Sequence, residues 1–257
     1  MDTGLRGKNV VIPGASSGIG RAIAKTMADE GANVVLAARR GDVLREVAYS
    51  LPSAAVVEID LNNEGSAGKL VQEAEAAFGP IDVLILNGGG PPTGGAADIE
   101  DVKLLAALQS LLVQQQRLTA AVLPGMRQRG WGRIVAVGSS GIQAPLENLA
   151  LSNIGRAGLA GYLKSLATEV AQDGVTVNMV LPGRIATERV ASLDSAKAEK
   201  SGRTDDEVRR DSMSSIPARR YGQPEEFAAV VTFLASEAAA YVTGEQVRCD
   251  GGLVRSY

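Results

Sequence analysis

Seven short apolar runs, alternating with longer stretches of helical spacing, constrain this chain more than any other feature. The runs are NVVIP (9–13), NVVLAA (33–38), AAVVEID (54–60), IDVLILN (81–87), RIVAVGS (133–139), VTVNMVLP (175–182) and GEQVRCD (244–250). Several are apolar almost throughout, the pattern of strands covered on both faces. Between them, GRAIAKTMADEG (20–31), EGSAGKLVQEAEAAFG (64–79), the long stretch 102–130 and NIGRAGLAGYLKSLATEVAQDG (153–174) carry apolar residues at helical intervals. Such alternation builds repeated βαβ units. It predicts one α/β domain over 1–257, with a doubly wound, seven-stranded parallel sheet and helices on both faces.

Charge and composition narrow the function. With a formal net charge of −3 and scattered Lys and Arg, the chain has no basic footprint for nucleic acid. It contains no histidine and a single cysteine, Cys249, so neither a zinc site nor a disulfide framework is expected, and no metal. The N-terminus, MDTGLRGKNVVIPG, lacks an apolar signal core, and no apolar run approaches the roughly 20 residues that cross a bilayer. These features lead us to expect a cytoplasmic protein without a membrane partner. The segment 188–216, ERVASLDSAKAEKSGRTDDEVRRDSMSS, is polar and charged. It reads either as a solvated helix or mobile loop, or as a cover over a substrate.

The chemistry begins in NVVIPGASSGIGRAIA. Gly14, Gly18 and Gly20 follow the first strand directly and open the first helix. Glycine there permits a tight turn and close approach of the backbone to a pyrophosphate, while the helix N-terminus supplies N–H donors. This is the arrangement of a single-domain Rossmann fold. After the second strand, VVLAARR puts Ala38 and then Arg39 where a carboxylate would meet the ribose hydroxyls of NAD. A cation there suits a 2′-phosphate, so NADP(H) is favoured over NAD(H); solvated charges at a strand end are the alternative reading of Arg39 and Arg40.

The GxxxGxG spacing resembles that of the short-chain dehydrogenase/reductase family, and the likeness runs over roughly residues 5 to 254. EIDL places Asp60 and Leu61 on the family's adenine-contacting segment. LILNGGG is similar to its NNAG motif, with Asn87 and Gly88. GWGRIVAVGSSG resembles the strand that delivers a catalytic serine, here Ser139. VTVNMVLPGRIATE resembles the segment that holds the nicotinamide end, with Pro182, Gly183, Ile185 and Thr187. YVTGEQVRCDGGL resembles the C-terminal strand and its Asp-Gly-Gly turn. The cofactor set that this resemblance implies is completed by Ser16, Ser17 and Ile19 in the glycine loop, and by Arg156.

Three positions depart from the family. Its members carry tyrosine thirteen residues after the serine and lysine four further on; here those positions are Ser152 and Arg156. The family's Asn on the long preceding helix falls on Leu111. A tyrosine, with a pKa of about 10 lowered by the lysine, protonates the carbonyl oxygen in that family. Serine is a weaker acid and shorter by a ring, so Ser152 can at most orient a water. Arg156, one helical turn away, can donate to a ribose but does not exchange protons near neutrality. Tyr162 lies on a different face of the helix, where a core or interface role is expected. Ser139, with Ser140 beside it, retains a polarising hydroxyl.

Three readings stay open at this stage. One is an NADP(H)-dependent oxidoreductase on a small-molecule carbonyl or alcohol, similar to a divergent 3-oxoacyl-(acyl-carrier-protein) reductase branch with Ser139, Ser152 and Arg156 as its altered catalytic set. The others are a dinucleotide-binding pseudoenzyme and a non-redox enzyme on the same fold. The resemblance also implies a homotetramer built through the long helices and the C-terminal strand.

Overall fold

The structure, a computed structural model, describes residues 2–256, so the two end residues of the expected domain lie outside it. All seven expected strands form: β1 (Asn9–Pro13), β2 (Asn33–Ala38), β3 (Ala54–Glu58), β4 (Val83–Leu86), β5 (Gly132–Val137), β6 (Val175–Pro182) and β7 (Gln246–Cys249). They make one parallel sheet in the order β3-β2-β1-β4-β5-β6-β7. β1, β2 and β6 have the expected limits. β3, β4 and β5 end before their apolar runs do, with Asp60, Asn87 and Ser139 beyond the last strand residue, and β7 is shorter than its run at both ends. The direction in which successive strands are added reverses between β1 and β4, and the crevice at such a switch point is where a doubly wound sheet binds ligands.

Nine α-helices connect the strands among the described residues: α1 (Gly18–Asp29), α2 (Gly41–Tyr49), α3 (Ser66–Phe78), α4 (Asp101–Leu108), α5 (Gln114–Arg129), α6 (Ala150–Val170), α7 (Glu188–Ser201), α8 (Asp205–Ser215) and α9 (Pro224–Ala235). Alternation along each buried strand sends residues to two separate cores. Val11, Leu84, Ile134 and Met179 pack with Leu70, Leu118 and Leu163 of α3, α5 and α6. Val10, Ile12, Val34 and Val180 pack with Ile23, Leu44 and Phe227 of α1, α2 and α9 on the other face.

The stretch 102–130 is a single helical run broken by one π segment, Gln109–Val113, between α4 and α5. Leu111 sits in it, 4 % exposed, against α6: a Cβ on Gly155 would lie 2.8 Å from its Cδ1. Two helices escaped the sequence pattern. α2 is only nine residues long, and its apolar stripe of Val43, Leu44 and Val47 was a signal available to be read. α9 opens on a proline at its first turn with a Gln223–Glu226 capping box, a start signal that was there to be used. Tyr162 packs at the edge of the α3/α5/α6 core, as its face of the helix indicated, and burial raises the pKa of its hydroxyl.

The polar segment 188–216 is ordered as α7 and α8. Thr187 caps α7 through its side chain, and Thr204 with Glu207 forms a capping box at α8. What holds the pair is a buried carboxylate. Asp194, on α7, accepts from Arg184 Nη1 at 2.8 Å and from the Tyr221 hydroxyl at 2.7 Å. Asp194→Ala leaves both donors without their partner and is expected to cost about 2 kcal/mol. Urea unfolding combined with limited proteolysis of 188–216 measures this; an unchanged midpoint would contradict it. No described helix is long and apolar enough to cross a membrane.

Candidate active site

The glycine loop interlocks with the end of β4. Gly14 and Gly18 have φ of +66° and +54°, the left-handed region that glycine occupies without strain. A Cβ on Gly20 would lie 2.3 Å from the carbonyl oxygen of Gly14, and one on Gly14 would lie 2.7 Å from Asn87 Nδ2. Asn87 is buried and donates from Nδ2 to the Pro13 carbonyl at 2.9 Å. The backbone of the loop is therefore held close between β1 and β4. It delivers the N-terminus of α1 to the crevice with no acidic residue in the first turn and no side-chain cap on its amides. Such a terminus attracts anions.

At the end of β2, Arg39 and Arg40 are both exposed. Arg40, not the residue singled out from the sequence, reaches the loop: its Nη2 lies 3.1 Å from Ser16 Oγ and 3.3 Å from Ser17 Oγ. After β3, Asp60 is engaged in a local turn, its Oδ1 accepting from the main-chain and side-chain nitrogens of Asn62 at 3.0 and 3.1 Å. Leu61 packs against the core, and Gly88 follows Asn87, facing Gln115 of α5.

The other end of the crevice is built from β5, α6 and β6. Ser139 is extended and caps a single 3-10 turn, Ser140–Ile142, its Oγ accepting from Gly141 N at 3.0 Å. One lone pair of that oxygen is occupied, which leaves its proton free to be donated outward. Ser152 and Arg156 lie one turn apart on α6, both partly buried. Arg156 Nη1 donates to the Val137 carbonyl at 2.6 Å, which brings the guanidinium beside the strand end that carries Ser139. Burial, and then the nearby charge of Arg189, push its pKa down to about 10. Gly183 N donates to the Cys249 carbonyl at 3.1 Å, so the Pro182–Gly183 turn abuts the Asp-Gly-Gly turn after β7. Ile185 is buried, and the Thr187 methyl stands 3.3 Å from the position a Cβ on Gly18 would take.

Of the expected residues, Arg39, Asp60, Asn87 and Ser139 follow the carboxyl ends of β2, β3, β4 and β5, and Ser152 and Arg156 lie on α6, with Arg156 reaching the end of β5. Sequence reasoning missed Arg40, and it missed Asn153, whose amide pins the main chain of Leu146 through Oδ1 and Nδ2 beside the Ser139 turn. It also missed two buried amides. Both side-chain polar atoms of Gln114, and Oε1 of Gln115, have no hydrogen-bond partner among the described residues. Three successive glutamines in an apolar helix were the available signal. A cavity of about 730 Å³ borders the loop at Gly18 and Thr187, walled by α1, α2, α7 and α8, and does not include Ser139, Ser152 or Arg156.

Residues 14–254 match the family described as enoyl-(acyl carrier protein) reductase. The chain is 34 % identical over 252 residues to the 3-oxoacyl-(acyl-carrier-protein) reductase FabG of Vibrio cholerae, covering 97 % of this chain and 98 % of that one. It is 31 % identical over 257 residues to the NADPH-dependent reductase BacG of Bacillus subtilis, at 97 % and 98 % coverage. The L-sorbose reductase of Gluconobacter frateurii, solved with NADPH and L-sorbose, superposes with a TM-score of 0.94 at 33 % identity over the whole of both chains. Sheet order, glycine loop and these matches agree: the chain belongs to the short-chain dehydrogenase/reductase family.

Proposed function

We propose that this chain is an NADP(H)-dependent oxidoreductase acting on a small-molecule carbonyl or alcohol, with Ser139, Ser152 and Arg156 at the positions where the family carries serine, tyrosine and lysine. The observation that carries the reading is the glycine loop, whose backbone a single Cβ at Gly20 would displace and over which Arg40 lies. NADPH, when bound, supplies a hydride. The residues that would hold it are the α1 N-terminus at Gly18 and Ile19, Ser16 and Ser17 with Arg39 and Arg40 at the 2′-phosphate, Asp60 and Leu61 at the adenine, Asn87 and Gly88 in the middle, and Arg156, Pro182, Gly183, Ile185 and Thr187 at the nicotinamide end.

In this set Ser139 donates a hydrogen bond to a substrate oxygen, and Arg156 adds positive charge where negative charge develops. Neither releases a proton near neutrality, so in this reading the proton comes from water, and the role left to Ser152 is to orient it. Loss of general acid catalysis costs about 10² to 10⁴-fold. Slow turnover is the expected behaviour. The segment 188–216 covers the substrate end, a role supported by Arg189 of α7, which donates to the carbonyl of Pro91, in the loop that follows β4, at 3.0 Å. Exposed Val102, Leu105 and Ile154 on α4 and α6 support assembly through these helices, the homotetramer that the family resemblance implies.

The test is a fluorescence titration with NADPH and NADH followed by steady-state NADPH oxidation over a carbonyl panel. Binding with slow oxidation supports the proposal, binding without any oxidation makes the chain a nucleotide-binding pseudoenzyme, and absence of binding rejects both. Cofactor choice has its own check. Arg39→Ala and Arg40→Ala are each expected to weaken NADPH binding more than NADH binding, with the larger effect, about tenfold, at Arg40. Equal losses for the two nucleotides would remove the phosphate role from both arginines.

A further inference from the structure

Ser152 is followed on α6 by Asn153, a half-buried amide. Its carboxamide pairs with both main-chain groups of one loop residue: Nδ2 donates to the Leu146 carbonyl at 3.0 Å, and Oδ1 accepts from Leu146 N at 3.4 Å. The same Oδ1 closes on Gly141. A Cβ added there would lie 2.4 Å from Asn153 Oδ1, 3.2 Å from Ser139 Oγ and 3.4 Å from Leu146 Cγ. Gly141 is buried, and its N–H is the group that donates to Ser139 Oγ at 3.0 Å. Ser139 and Asn153 thus grip one glycine from two sides.

Main-chain bonds close the loop only on itself, from Ile142 N to Ser139 O and from Gln143 N and Ala144 N to Ser140 O. Asn153 ties it to α6. An amide suits this task because it carries a donor and an acceptor at the spacing of a peptide group; a carboxylate lacks the donor, and a serine hydroxyl is too short to reach both groups. The tie matters for Ser139, since a hydroxyl rotates freely unless a partner fixes it. With the Gly141 N–H on one lone pair, the proton of Ser139 points outward, and small displacements of a reacting or polarising group cost rate steeply.

Resting on the NADP(H) oxidoreductase reading, in which Ser139 polarises the substrate oxygen, we infer that Asn153 is a positioning residue for that reaction. It clamps Leu146 and Gly141 against α6, so that the Gly141 N–H keeps the Ser139 hydroxyl aimed at the substrate. In a site that carries serine in place of tyrosine, the aim of this one neutral donor sets kcat.

A double-mutant cycle with Ser139→Ala tests the inference. Asn153→Ala is expected to lower kcat for NADPH oxidation about tenfold with the best carbonyl of a panel, and to change KM and NADPH affinity less than about threefold. In the Ser139→Ala background the same substitution is expected to cost less than about twofold, because the hydroxyl that it aims is gone. Asn153→Asp keeps the shape, yet when ionised sets a carboxylate against the Leu146 carbonyl. It is expected to match the alanine loss at about pH 8 and to recover part of it at about pH 5, where protonation returns the donor. Equal losses in both backgrounds, or a loss confined to KM, overturn the inference, as does a wild-type kcat in Asn153→Asp at about pH 8. If the wild-type chain oxidises no NADPH, the reductase reading falls and amide hydrogen exchange over 139–149 becomes the readout. Protection of Gly141 lost in Asn153→Ala at an unchanged urea midpoint keeps the clamp on Ser139, and unchanged protection overturns it.

Discussion

Replacing Ser152 by tyrosine and Arg156 by lysine in one chain is expected to raise kcat for NADPH-dependent reduction of a neutral ketone by about 10²-fold or more, the usual worth of a placed general acid. The two positions are one turn apart on α6, and the side chain at 156 already reaches the Val137 carbonyl, two residues before Ser139. In the proposed set a phenol at 152 therefore shares a helix face with the side chain at 156 and is directed toward the substrate oxygen that Ser139 would polarise. Its pKa of about 10 falls beside a cation, which brings the acid nearer to neutral pH. Ser152→Tyr alone keeps Arg156 as that cation and is expected to give part of the gain; Arg156→Lys alone adds no acid and is expected to give none. Steady-state kinetics of the three variants decide the matter. A gain below about threefold in the double variant would mean that proton donation does not limit the wild-type rate, or that Leu111, packed on Gly155 one residue before Arg156, holds α6 where a tyrosine cannot reach.

Gly20→Ala is expected to abolish NADPH binding, with an affinity loss of about 10²-fold or more, and to lower stability by about 1–3 kcal/mol through overpacking. The added methyl would lie 2.3 Å from the Gly14 oxygen and 2.8 Å from both Gly14 C and Asn87 Nδ2. Two of those atoms are backbone, so the strain cannot be relieved by a rotamer change. Either the loop lifts from α1, removing the amides aimed at a pyrophosphate, or Asn87 gives up its hydrogen bond to Pro13. NADPH fluorescence and urea unfolding report the two effects separately. Gly68→Ala, within α3, is the control, since a Cβ there meets nothing within 4 Å and its φ lies outside the left-handed region. Retention of NADPH affinity in Gly20→Ala would show that the close approach of β1 to α1 is not what forms the site.

What the sequence determined by itself was the part encoded locally. Strand after strand announced itself as an unbroken apolar run, because a central parallel strand is covered on both faces and has no polar side to show. Gly14, Gly18 and Gly20 were legible for the same reason, since the chain must turn within a few residues of β1. Ser152 and Arg156 could be placed by counting along one ungapped helix.

The tertiary structure decided what depends on residues far apart in the chain. Arg39 and Arg40 are equivalent as text; only the way β2 enters α2 turns Arg40 toward Ser16 and Ser17. The polar segment 188–216 carried no apolar stripe to mark it as two helices. Its order comes from Asp194 of α7 meeting Arg184 and Tyr221, which lie in two separate connecting segments.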